Sequence, residues 1–200
     1  MIEKGIKYTV FRTISNIFLP PFATFISIIV VSSTFQPDSD KRFLFILIGL
    51  ITNVILPILV FVIMLKKGKI GDQDARERTE RAPAYIYGIY ILLAGGILIF
   101  TLGFSKPEIL LYIAITVNLC LLLIVNSFWK MSAHLMGVGG MSATLIFSGN
   151  IFIIPSLFVI LIVILSRIYL KCHTLGQTVA GAITGFAVTW ILLSFSKNIQ

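Results

Sequence analysis

Residues 43–65 read FLFILIGLITNVILPILVFVIML, a run of 23 residues without a charged side chain. A helix of this length can cross the hydrocarbon core of a bilayer, which is about 30 Å thick. The whole chain has the same character: 58% of its 200 residues are hydrophobic, 12% are charged, and the mean hydropathy is +1.01. This composition excludes a water-soluble globular domain. It predicts an all-α, polytopic transmembrane helical bundle that forms a single domain over residues 1–200.

The segment before this run contains another apolar stretch, which two prolines interrupt. Residues 1–12 are basic, and residues 13–33 carry no charge but contain Pro20–Pro21. The apolar stretch is too long for a signal peptide, so we predict a retained first helix that is kinked or re-entrant at the proline pair. A short polar loop at 36–42 then leads into the run at 43–65.

The segment after the run begins with the only strongly polar stretch of the chain. Residues 66–83 hold six basic and four acidic side chains. Two further apolar runs follow at 84–104 and 109–128, and only residues 105–108 separate them. A connection this short predicts that the two runs form an antiparallel hairpin of helices.

Residues 135–166 form a long segment with neither a charge nor a histidine. As one helix they would be about 48 Å long, which exceeds the hydrocarbon thickness. Gly149–Asn150 is the natural place for a turn, so we predict a short helix at 132–148 and a second helix at 151–171. A final span is predicted at 174–196, which brings the total to six to seven membrane helices.

The number of crossings decides whether the polar turns can cooperate. If residues 135–166 form two spans, the chain crosses seven times, and the stretch 66–83 shares one face with the turns at 130–134 and 166–177. If they cross only once, the two turns lie on opposite faces. The split therefore predicts one polar site at a single membrane face.

Two turns at the ends of apolar segments carry the reactive side chains. Residues 166–177, SRIYLKCHTLGQ, contain Arg167 and His173, and residues 129–140, WKMSAHLMGVGG, contain His134. The guanidinium of an arginine offers a planar fork of donors that suits phosphate oxygens. A neutral imidazole can attack phosphorus or carry a proton. The chain has no other histidine, so both of its imidazoles lie beside such turns.

The order of these residues resembles the type 2 phosphatidic acid phosphatase family, whose motifs are KxxxxxxRP, PSGH and SRxxxxxHxxxD. Ser166, Arg167 and His173 match the third motif at full spacing. Ser132 and His134 match the second motif, with Met and Ala in place of its Pro and Gly. The resemblance covers mainly residues 66–185.

The resemblance implies a site and a reaction. His173 would be the nucleophile that forms a phosphohistidine, and His134 would protonate the leaving alcohol and then activate water. Arg167, Lys130 and Ser132 would supply donors to the phosphate oxygens. Such a reaction needs neither a metal nor another cofactor. The expected substrate is a lipid phosphate or a prenyl diphosphate at the membrane interface.

The third motif departs from the family at its last position. Gln177 stands where the family has an Asp that orients the nucleophilic histidine. Gln can still accept a hydrogen bond but carries no charge, so a slower enzyme is expected. Thr174 and Gln177 also have the spacing of a helix capping box, which is the competing interpretation of Gln177.

The first motif of the family does not occur. The sequence Arg81-Ala-Pro comes closest, but Asp74 stands where that motif requires Lys. Arg76, Arg78 and Arg81 are therefore all candidates for phosphate contacts. The alternative is a solvated loop with internal ion pairs.

Two other function classes remain open at this stage. Asp72 and Asp74 with nearby arginines could bind a divalent cation and a diphosphate, as in membrane prenyltransferases, although no second Asp-rich loop is present. A catalytically weak or inactive phosphatase relative that binds or moves lipid is the other class, because Gln177 and the broken first motif depart from the family.

The partners and the location follow from charge and small residues. Twelve of the 16 Lys and Arg residues lie on the motif-bearing face, which the positive-inside rule places in the cytoplasm of a cell inner membrane. Six remain against four when the candidate site residues are left out. Gly181-x-x-x-Gly185 predicts tight packing against a helix of the same chain or of a second copy, so a homo-oligomer is an open alternative. No nucleic-acid partner is expected.

Overall fold

The computed structural model describes residues 5–149 and 152–196, and over these residues it is all-helical, with no β-strand. The all-α class predicted from the sequence is confirmed. The helices of the described residues are α1 Ile6–Ile17, α2 Pro20–Phe35, α3 Ser39–Lys66, α4 Arg81–Thr101, α5 Lys106–Asn126, α6 Ala133–Ser148, α7 Ile153–Tyr169 and α8 Leu175–Ser194.

The structure supports four to five membrane spans by helix length and composition, whereas the sequence predicted six to seven. Among the described residues, α3, α4, α5 and α8 are long and apolar enough to cross a bilayer, and α1 with α2 could form a fifth, bent span. The apolar helices α6 and α7 have only 16 and 17 residues. They are shorter than the roughly 20 residues that a perpendicular crossing needs. Six to seven spans are therefore not confirmed.

The proline pair divides the first apolar segment as expected. Pro20 and Pro21 occupy the first turn of α2, where their missing N–H groups leave no helical hydrogen bond unmade. The axes of α1 and α2 are bent by 46° at this break. The bend leaves α1 free to pack against α7, where Ser166 Oγ donates a hydrogen bond of 2.7 Å to the carbonyl of Phe11.

The long uncharged segment is divided into two helices, as its length predicted. α6 ends at Ser148 with Gly149 in an extended conformation, and α7 begins at Ile153. The predicted turn includes Asn150, which lies outside the described residues. The division matters for the site because the start of α6 and the end of α7 both carry motif residues.

Helices α6 and α8 pack closely against each other, and their close approach requires glycine at several positions. A Cβ atom added at Gly181 would lie 2.6 Å from the carbonyl oxygen of Ser132, and one at Gly185 would collide with the carbonyl oxygen of Met136. From the other side, a Cβ at Gly139 would collide with the backbone of Ala182. The Gly181-x-x-x-Gly185 pair thus packs within the chain.

We expect Gly185→Ala to destabilise the bundle by about 1–3 kcal/mol, because the new methyl group has no space beside α6. Thermal unfolding of the protein in detergent, followed by circular dichroism, measures this effect. Gly176→Ala on the same helix is the matched control, since nothing lies within 4 Å of its added Cβ. If both variants unfold at the wild-type temperature, the close α6–α8 contact is wrong.

Candidate active site

The turn after α7 sets the positions of Arg167 and His173. The N–H of Lys171 donates to the carbonyl of Ile168 at 2.9 Å, and the N–H of Cys172 donates to the carbonyl of Arg167 at 3.0 Å. Lys171 has a φ of 54°, so this is a Schellman motif in which a lysine takes the left-handed position that glycine usually fills. The sharp reversal keeps the last turn of α7 and His173, just before α8, at one rim of the bundle.

Gln177 fixes the orientation of the His173 ring. Its Oε1 lies 3.2 Å from His173 Nδ1 and accepts a hydrogen bond of 3.1 Å from the N–H of Thr174. An amide oxygen can only accept, so Nδ1 carries the proton and Nε2 keeps a free lone pair. The Thr174 hydroxyl accepts from the N–H of Gln177, which completes a capping box. Gln177 therefore both contacts the His173 ring and caps α8.

His173 is held in its neutral form by its surroundings. It is 8% exposed, and burial is the first cause that lowers its pKa, to about 3. The charges of Arg81, Arg167 and Lys130 act in the same direction. At a pH between the folded pKa and the unfolded pKa of about 6.5, His173 binds a proton in the unfolded chain but not in the folded chain. His173 thus costs no stability at pH 7, and its contribution becomes destabilising as the pH falls below about 6.5.

His134 is connected to Arg167 through a serine. Ser15 Oγ accepts a hydrogen bond of 2.6 Å from Arg167 Nη1 and lies 3.4 Å from His134 Nε2. Ser15 is 1% exposed, so its hydroxyl has little access to water. His134 also lies within electrostatic reach of His173. The two histidines, from α6 and from the turn before α8, therefore belong to one site.

An ion-pair cluster forms the remainder of this rim. Asp74 accepts two hydrogen bonds from Arg12, at 3.0 and 2.9 Å, and a third from Arg167 Nη1 at 3.0 Å. Burial alone would raise the pKa of Asp74, but the hydrogen bonds and charges of Arg12 and Arg167 hold it well below its usual range. Asp74 is therefore ionised at neutral pH although its side chain is only 5% exposed.

Arg81 and Lys130 add positive charge next to the histidines. Arg81 is buried, and its Nε donates to the carbonyl of Ala75 at 2.7 Å. Lys130 is half-buried, and burial followed by the charge of Arg81 lowers its pKa. Both cations act on His173 electrostatically, so these two predicted phosphate ligands lie near the predicted nucleophile.

The other predicted phosphate ligands have different positions. Arg78 donates to the carbonyl of Ser127 at the end of α5, and Arg76 is exposed and lies 3.5 Å from Asp72 and 3.7 Å from Asp74. Neither side chain lines the cavity that His134, Arg167 and His173 line. Ser132 is fully buried and caps α6 by accepting from the N–H of Leu135 at 3.4 Å.

A cavity of about 490 Å³ opens below this rim. Its polar end is formed by His134, His173, Arg12, Arg81, Arg167 and Asp74. Its walls are mostly apolar side chains of α2 to α6. Along α4 the lining runs from Arg81 to Leu92, a distance of about 16 Å at 1.5 Å per residue. This length is about half of the hydrocarbon thickness of a bilayer, so it is comparable with the thickness of one lipid leaflet.

Three members of the site have no motif in the sequence. In the sequence, Arg12 is only one of the counted charges, Asp74 is a possible metal ligand and departs from the Lys of the first motif, and nothing marks Ser15. They lie far along the chain from Arg167, and only tertiary packing brings them together. Within residues 5–149 and 152–196 no three His, Cys, Asp or Glu side chains are grouped so that they could hold a metal ion.

Searches against family models, curated proteins and solved structures found no match to this chain. The class of site therefore follows from the chemistry of the side chains at the rim. They form a buried, cation-rich site with two imidazoles, at the mouth of an apolar cavity in a protein with several helices that could cross a membrane.

Proposed function

We propose that this protein hydrolyses a lipid phosphate or a prenyl diphosphate, without a metal, through a phosphohistidine on His173. One observation carries the proposal: His134, Arg167 and His173, the residues that resemble the phosphatase motifs, line the same end of one cavity. The free lone pair on His173 Nε2 and the neutral state of the ring support its role as the nucleophile.

The reaction has two steps. In the first, His173 Nε2 attacks phosphorus and the bond between phosphorus and the lipid oxygen breaks. His134, which the negative charge of the bound phosphate holds in its imidazolium form, gives its second proton to the leaving oxygen. In the second, His134 takes a proton from water, the resulting hydroxide attacks the phosphohistidine, and phosphate leaves with His173 restored. With a prenyl diphosphate, the leaving group of the first step is the prenyl monophosphate.

The cations stabilise the charge that develops on the phosphoryl oxygens. Arg167 offers a fork of donors beside His134, and Arg81 and Lys130 add charge next to His173. Such fixed charges in a site that excludes water need no reorganisation during the reaction, which is the main source of catalysis in phosphoryl transfer.

The cavity supports a lipid as the substrate. Its rim is cationic, and its walls are mostly apolar along the roughly 16 Å that the lining covers on α4. A phosphate at the rim would leave a hydrocarbon chain directed along the cavity, where burial of apolar surface contributes about 25 cal/mol per Å². A water-soluble phosphate would gain nothing from these walls.

The location and the assembly belong to the same proposal. The motif face is cytoplasmic in a cell inner membrane, on the excess of Lys and Arg at that face. The bilayer and the lipid substrate are then the partners. The Gly181-x-x-x-Gly185 pair is used within the chain against α6, so it no longer argues for a homo-oligomer.

Release of phosphate by the detergent-purified protein, in the presence of EDTA, tests the proposal. The panel is a phosphatidate, phosphatidylglycerol phosphate, a sphingoid phosphate and a prenyl diphosphate. We expect release from at least one of them at a rate that EDTA does not change. Release of diphosphate instead of phosphate from the prenyl diphosphate, lost in EDTA and restored by Mg²⁺, would favour the metal-dependent prenyltransferase. Binding of a lipid phosphate without any release would favour the inactive, lipid-binding relative.

A further inference from the structure

The carboxylate of Asp74 lies where an anionic ligand of Arg167 would lie. Its Oδ1 is 3.0 Å from Arg167 Nη1, and its two oxygens accept hydrogen bonds from the two terminal nitrogens of Arg12. Asp74 also lines the same end of the cavity as His134 and His173. A planar fork on one arginine and a single donor on another are the contacts that a phosphate would make with these residues.

We propose that Asp74 is a resident competitor for anions: it occupies the anion position on Arg12 and Arg167, yields it to a phosphomonoester, and keeps the more weakly bound phosphodiesters out of it. The inference rests on the proposed function only in that the rim is taken to bind phosphate. It concerns how tightly an anion must bind to occupy the rim, which neither histidine decides.

Charge decides the competition between Asp74 and a ligand. A phosphomonoester carries a charge of about −1.5 to −2 at pH 7 and three terminal oxygens. A phosphodiester carries one negative charge and two terminal oxygens, which is no more than a carboxylate already offers. A diester that displaces the Asp74 carboxylate from the two arginines therefore gains no Coulomb attraction over the carboxylate. A monoester, with its larger negative charge, does gain it.

Phosphodiester head groups of the bilayer would compete for a cationic rim. The lining on α4 is comparable in length with one leaflet, and a bilayer presents a large excess of phosphodiester head groups to any cationic rim at its surface. Without a resident carboxylate, the surplus charge of Arg12, Arg81, Lys130 and Arg167 would attract these head groups. Asp74 neutralises part of this charge until a dianion arrives.

The loop that carries Asp74 offers the displaced carboxylate a second partner. Residues 67–80 between α3 and α4 form turns and bends without a helix, and the N–H of Asp74 bonds to Asp72 Oδ1 at 2.7 Å. Arg76 Nη2 lies 3.7 Å from Asp74 Oδ2, and its side chain is 43% exposed. A small outward shift of Asp74 would tighten its pairing with Arg76, so the carboxylate need not become unpaired.

The experiment measures anion binding rather than hydrolysis. The dissociation constants of inorganic phosphate and of dimethyl phosphate, a soluble diester, are determined by titration calorimetry at pH 7.5 on the wild type, Asp74→Asn and Asp72→Asn. We expect the wild type to bind phosphate at least about tenfold more tightly than dimethyl phosphate. In Asp74→Asn both anions should bind more tightly, by a similar factor of about tenfold or more, because neither has to displace a carboxylate that is paired with Arg12 and Arg167.

Asp72→Asn is the matched control, because Asp72 lies on the same loop, pairs with the exposed Arg76 at 3.5 Å, and as Asn keeps the oxygen that accepts from the N–H of Asp74. It should leave both dissociation constants unchanged. Unchanged dissociation constants in Asp74→Asn would overturn the inference even if the protein hydrolyses lipid phosphates. If Asp74→Asn does not fold, the wild type decides: equal affinity for the two anions refutes the inference. A wild type that selects phosphate but hydrolyses nothing would refute only the proposed function.

Discussion

His173→Ala is expected to lower phosphate release by at least about four orders of magnitude, because the phosphohistidine of the proposed reaction can no longer form. His134→Ala is expected to lower it by about 10²- to 10⁴-fold, the usual contribution of a general acid and base. Both rates are measured with the best lipid phosphate of the panel, in EDTA. Cys172→Ala replaces the buried neighbour of His173 and should keep most of the activity.

An aryl phosphate distinguishes the roles of the two histidines. Its leaving group departs without a proton, so His134→Ala should form the phosphohistidine at nearly the wild-type rate and then accumulate it. The accumulated intermediate is detected with an aryl phosphate that carries a radioactive phosphoryl group. A protein-bound label that survives alkali and is lost in acid is a phosphohistidine. Labelled His173→Ala protein would show that another residue is the nucleophile.

Gln177→Glu tests whether the missing charge limits the rate. Glu has nearly the same shape as Gln and keeps the capping box, and a carboxylate at 3.2 Å from His173 Nδ1 would raise the pKa of His173 and favour the positive charge that develops on the ring. We expect phosphate release to rise by about tenfold, with an acid limb that moves to higher pH. Gln177→Ala, which removes both hydrogen bonds, should lower it. Equal rates in all three proteins would mean that Gln177 only caps α8.

The parts of the fold that the sequence predicted follow from chain geometry. A bilayer of fixed thickness limits the length of a helix, so the division between α6 and α7 was implied by an uncharged run that was too long. Pro20 and Pro21 lack N–H groups, so a break before them was implied as well. The number of spans could not be predicted, since α6 and α7 are apolar but shorter than a perpendicular crossing.

The candidate site was predictable only where spacing reflects local geometry. Arg167, His173 and Gln177 lie in one turn and the helix start that follows it, so their separation along the chain sets their separation in space. Ser15 lies 152 residues from Arg167, and its hydrogen bond to that side chain comes from packing of α1 on α7. For Asp74 the sequence offers only the alternative of a metal ligand, because no local pattern shows that two arginines surround it.

Arg167 has the largest expected effect among the basic residues. It is 1% exposed and bonds at once to Ser15 and Asp74. Arg167→Ala should lower phosphate release by about 10³-fold or more, as for other donors that stabilise the transferred phosphoryl group. It should also cost up to about 3–5 kcal/mol of stability, because it removes one partner from a buried ion pair. Arg12 remains to compensate Asp74, so we expect the variant to fold in detergent.

Arg167→Lys separates charge from geometry. Lysine keeps the positive charge but offers no planar fork, so it cannot hold Ser15 and a phosphate oxygen together. We expect it to recover most of the stability lost in Arg167→Ala and little of the activity. Arg76→Lys is the matched control, because Arg76 is exposed and does not line the cavity. If Arg167→Lys is as active as the wild type, the fork is not needed. The link from Arg167 through Ser15 to His134 would then have no part in catalysis.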